Sequence, residues 1–151
     1  MNRVSKRFGK DLFTRMENII EYGDTQKIQM CTMRSVLARL FHKLAQNKEP
    51  SKHDLYNHQI AFFRECRYEG VIESKSHELR KLFNNCVHDE AVHSITKETI
   101  VFNPSEHDYK NSIRILADII SHFSELDIPK SILKIFDDKD LVIEITLIKL
   151  I

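Results

Sequence analysis

Met33-Arg-Ser-Val36-Leu37-Ala-Arg-Leu40-Phe41-His-Lys-Leu44 is the stretch that decides how this chain folds. Its apolar residues recur at i, i+3 and i+4, the spacing that lines one face of an α-helix and cannot line one face of a strand. Asp24 or Thr25 can cap the helix and its period lasts to about Gln46, so it is expected to be the long central helix of the core.

The same period continues on both sides. Upstream, Leu12, Phe13, Met16, Ile19 and Ile20 predict a helix over Lys10–Tyr22, with Gly23 at its C-terminal boundary. Downstream of Pro50, Ser51-Lys-His-Asp54 reads as a capping box and opens a third helix through Tyr56, Ile60 and Phe63 to about Gly70. Ser76 is the expected cap of a fourth helix to His88, with Leu79, Leu82, Phe83, Cys86 and Val87 inward. Ser105-Glu-His-Asp108 is a second capping box, and Tyr109, Ile113, Leu116, Ile119, Ile120 and Phe123 carry a fifth helix to about Leu126. A short sixth helical turn starts at Pro129 and Lys130.

The helical period lapses between Asp89 and Pro104, a long loop in which Thr99–Phe102 favours a short strand. The segment Leu141–Ile151 is rich in β-branched residues and alternates, which predicts a strand, with a terminal helix as the alternative. Such a strand needs a partner, either 99–102 or a second copy of the chain. The expected fold is therefore mainly α: one domain over 1–151, a bundle of five to six helices with a minor β element at 99–102 and 141–151.

Composition agrees with one folded unit, since 42% of residues are hydrophobic, 30% are charged, and only 3 glycines and 3 prolines interrupt the helices. Cys31, Cys66 and Cys86 are odd in number and contain no CxxC pair, which predicts neither a disulfide framework nor a zinc knuckle and fits a cytoplasmic protein. No secretory h-region or membrane-length apolar run is present, so no membrane contact is expected. The formal charge is only +1, yet the first third of the chain is basic and the last third acidic, so a phosphate or an acidic protein could be met by the N-terminal face.

Phosphate-loop, HExxH, GxSxG and EF-hand patterns are all missing, which leaves nucleotide, zinc-protease, hydrolase and calcium chemistry without support. His77, Cys86, His88 and His93 are close in sequence, but helical geometry turns Cys86 inward and the two helical histidines outward, so neither a metal nor another cofactor is expected. His77, Arg80, Asn84 and His88 fall at i, i+3, i+7 and i+11, a polar stripe within about 80° of helix arc, roughly opposite the apolar face. Arginine can hold a phosphate bidentately, histidine can move protons near neutral pH, and asparagine can orient either. The plainer account of the stripe is a solvated helix face.

Leu79-Arg80-Lys-Leu-Phe-Asn84-Asn-Cys-Val-His88-Asp, followed by a loop and an amphipathic helix, resembles the C-terminal half of HEPN domains over residues 76–126. That family carries an arginine and a histidine near a helix end, separated by about four to six residues; here seven intervene and Lys81 follows the arginine. The resemblance implies a helical bundle that associates with RNA, and a metal-independent ribonuclease of a toxin or defence system in mobile-element conflict, working as a homodimer. In that role Arg80 would neutralise the scissile phosphate, His88 would act as general acid or base, and Asn84 would be a supporting contact. The rival reading is a non-enzymatic viral or bacterial helical bundle that binds another protein.

Overall fold

The computed structural model describes residues 3–45, 71–93 and 95–136. In chain order these form α1 (Lys6–Tyr22), α2 (Gln26–Ala45), α3 (Val71–His88), β1 (Glu90–Val92), β2 (Thr99–Val101), α4 (Glu106–Ser124) and α5 (Lys130–Phe136). The fold is mainly α with a minor two-stranded β element. The helix expected over 51–70 and the strand or helix expected over 141–151 lie outside the described residues.

Local chemistry sets the helix ends. Ser5 caps α1, its hydroxyl accepting from the Phe8 amide at 3.1 Å, so the helix begins one turn before Lys10; that polar first turn carries no apolar signal. At its other end Gly23 is extended, with φ −68° and ψ 152°, and does not adopt the left-handed conformation of a C′ glycine. A Cβ there would collide with the carbonyl oxygen of Ile19, so the constraint on this glycine is steric. Thr25 accepts from the Ile28 amide at the start of α2.

The expected cap at Ser76 is not one. α3 begins at Val71, and Ser76 is buried inside it, donating to the Ile72 carbonyl at 2.6 Å. A serine can satisfy its hydroxyl within a helix in this way, and sequence cannot tell that from capping. α3 stops at Asp89, whose φ of 61° ends the helical run. By contrast α4 has the capping box that its sequence announces: Ser105 and Asp108 exchange side-chain-to-amide hydrogen bonds, both at 3.0 Å.

α4, not α2, is the central helix. It packs on α1, α2, α3 and α5, and it is buried on nearly every side, from Tyr109 and Ser112 through Ala117 to Phe123 and Ser124. Its buried face is wide, taking in Ile113, Ile115, Leu116, Ala117, Ile119 and Ile120 and leaving a narrow polar edge at Lys110, Arg114 and Asp118, whereas α2 keeps a broader polar outer face. Leu12, Met16, Met30, Met33 and Phe83 share one continuous core with α4 residues such as Leu116 and Phe123. Each such side chain contributes roughly 1.5–3 kcal/mol through burial. The main polar group within the core is satisfied, because the Tyr109 hydroxyl donates to the Gln29 carboxamide oxygen.

The stretch expected as a loop with a lone strand is a β-hairpin. Glu90, Ala91 and Val92 pair antiparallel with Val101, Ile100 and Thr99 in that order. β2 thus finds its partner nine residues upstream, in a segment of three residues that is too short to show a strand period. Lys27 of α2 forms an ion pair with Asp89 and anchors the hairpin base.

Candidate phosphate-binding groove

α2 and α3 lie side by side and leave a groove of about 300 Å³ between them. Arg34, Ser35 and Ala38 of α2 face Arg80, Phe83 and Asn84 of α3 across it. The floor is apolar, since Phe41 and Phe83 are both buried. The rim is cationic and polar.

Arg34 and Arg80 are half-buried, and neither makes a hydrogen bond or an ion pair among the described residues. Other cations of the fold do find carboxylates: Lys27 with Asp89, and Lys75 with Asp118 at 3.0 Å. α2 itself runs for 20 residues with Lys27, Arg34, Arg39 and Lys43 and no aspartate or glutamate. Two guanidiniums that share one partly desolvated groove repel each other, and an anion between them relieves the repulsion and supplies acceptors for both forks.

The polar stripe on α3 divides. Arg80 and Asn84 turn toward α2 at the edge of the apolar face, and both are half-buried. His88 is exposed at the helix end and borders a shallower depression of about 210 Å³ beside β1, with Asn84, Asn85 and Ala91. Asn84 borders both depressions, while Arg80 and His88 line different ones. Arg34 was absent from the residues singled out in the sequence; the signal that would have found it is the run of cations on α2 without a carboxylate.

Two cysteines differ in chemistry. Cys86 is buried, 3.9 Å from the Met30 sulfur, and burial, with a smaller contribution from Cys31, pushes its thiol up to about 12. Cys31 is partly exposed in the groove wall. Among the described residues no three histidine, cysteine or acidic side chains converge as a metal site would require. No described helix is long and apolar enough to cross a membrane.

The groove therefore has the means to bind an anion with an apolar body attached, through guanidinium forks at the rim and aromatic rings below. No family model, curated protein or solved structure matches this chain.

Proposed function

We propose that the protein is an RNA-associated helical module which grips a backbone phosphate between Arg34 and Arg80. One observation carries the reading: two half-buried guanidiniums face one groove and have no carboxylate partner among the described residues. The Asn84 amide adds a hydrogen-bond donor beside the phosphate, and the apolar floor suits a sugar or base edge. A docked protein would have to bring its own anion to the same place.

The test is fluorescence anisotropy of labelled dodecauridylate. Arg34→Ala combined with Arg80→Ala is expected to weaken binding by on the order of tenfold or more, and to reduce the slope of log affinity against log salt by about 0.7, the share of one phosphate on a single strand. Unchanged affinity and slope in a folded double variant would overturn the proposal.

The catalytic form of this reading is a metal-independent ribonuclease acting as a homodimer, of the kind a HEPN-like toxin or defence protein would be. Arg80 and His88 line separate depressions of one chain, so catalysis needs the imidazole of a second copy at the phosphate. The expected result is cleavage of RNA in the presence of a chelator by a species of dimer mass, lost in His88→Ala with folding intact. Equal cleavage by wild type and variant removes the catalytic role and leaves the binding role standing.

A further inference from the structure

A second basic depression adjoins the first. Arg39, His42 and Lys43 of α2 and Phe8 of α1 enclose a hollow of about 380 Å³, whose wall toward the α2/α3 groove is Ala38. Ala38 lines both hollows, so they are separated by one small side chain on the outer face of α2. The Lys43 ammonium sits over the Phe8 ring, 5.6 Å from its centroid, which holds a cation and an aromatic face together. Arg39 is exposed and makes no ion pair among the described residues.

From these juxtapositions we infer that the RNA ligand is single-stranded and crosses α2 at Ala38, with one phosphate at Arg34 and Arg80 and a further one at Arg39 and Lys43. This inference rests on the phosphate-binding reading of the α2/α3 groove and specifies its substrate class. Three physical facts converge on it. The charged residues of α2, Lys27, Arg34, Arg39 and Lys43, are all cations, so the helix has no carboxylate of its own to repel a polyanion. The crest between the hollows is an alanine, whose single methyl lets a backbone pass close where a longer side chain would lift it. The path is convex, because it leaves one inter-helix groove, rises over a helix about 10 Å across and descends into the next. A stiff duplex cannot follow such a bend over one helix width, whereas a single strand can. Phe8 at the far end offers a ring on which a base can stack.

The experiment compares labelled triuridylate, dodecauridylate and a duplex of the same length on the full chain. Wild type is expected to bind the dodecamer at least tenfold more tightly than either the trimer or the duplex. Arg39→Ala with Lys43→Ala should weaken the dodecamer by on the order of tenfold, affect the trimer far less, and lower the dodecamer salt slope by about 0.7. Ala38→Glu places a carboxylate at the wall of both hollows and should weaken the dodecamer and the trimer alike, with helicity by circular dichroism unchanged. Should the dodecamer bind the Arg39/Lys43 variant as tightly as wild type, or the duplex bind as well as the single strand, the crossing path is overturned while the groove at Arg34 and Arg80 stands. If dodecauridylate fails to bind wild type at all, the groove reading falls too.

Discussion

Gly9 lies where α1 crosses α4, and a Cβ on it would collide with the side chain of Ser124 at its Cβ, which cannot swing aside as a chain end could. Gly9→Ala should therefore destabilise the protein by about 1–3 kcal/mol although alanine favours helix, and thermal melting will show a lower Tm. Cys86 gives a second residue-scale expectation. Its folded thiol titrates near 12 and its unfolded thiol near 9.0, so the unfolded state loses its proton first as pH rises. The associated stability is complete below pH 9 and is lost as pH climbs toward 12. Burial also raises the Tyr109 phenol, which adds to the alkaline loss in the same direction. Urea unfolding across this range should show falling stability, with a shallower fall in Cys86→Ala. The same burial predicts that iodoacetamide at mildly alkaline pH labels Cys31 before Cys86, measured by peptide mass mapping.

At the scale of elements, the two ends of the fold differ in how firmly they are made. The start of α4 is fixed by reciprocal bonds between Ser105 and Asp108, so Ser105→Ala should cost about 1 kcal/mol in urea unfolding. The hairpin is held differently. Its strands are three residues each and largely exposed, with Val92 at 66% and Val101 at 68% exposure, so little apolar burial supports it. The turn depends instead on His93, whose Nδ1 accepts from the amides of Ile95 and Thr96 at 3.3 and 3.2 Å. His93→Ala removes the one acceptor of both bonds. Amide exchange of residues 95–101 should then accelerate while exchange in α4 stays the same.

At the scale of the whole molecule, the described helices share one core built around α4, so they should unfold together. Leu116→Ala, at a fully buried position of α4, is expected to remove about 2–5 kcal/mol. Helical circular dichroism and tyrosine fluorescence, the latter usable because the chain has 4 tyrosines and no tryptophan, should report one coincident transition in both proteins. Two separate transitions would show that the core is divided. The outside of the molecule is organised by charge: Arg34, Arg39 and Lys43 of α2 have no carboxylate partner among the described residues, while Lys27 at the start of α2 and Lys75 on α3 are neutralised by Asp89 and Asp118.

The helical class and most helix boundaries are readable along the chain, because the 3.6-residue period and the capping residues act over a few positions. Leu12 to Ile20, Met33 to Leu44 and Tyr109 to Phe123 announce their inward faces in this way, and Ser105 announces its cap. Which helix is central emerges with packing, since the enclosure of α4 depends on four neighbours that no local pattern names. Packing also decides that Ser76 is interior, that β2 pairs with Glu90–Val92, and that the α3 stripe splits between two depressions. The candidate site was half legible for the same reason. Arg80 and Asn84 share one helix and so share a spacing, whereas Arg34 reaches them from another helix, and a contact between helices exists only once both are packed.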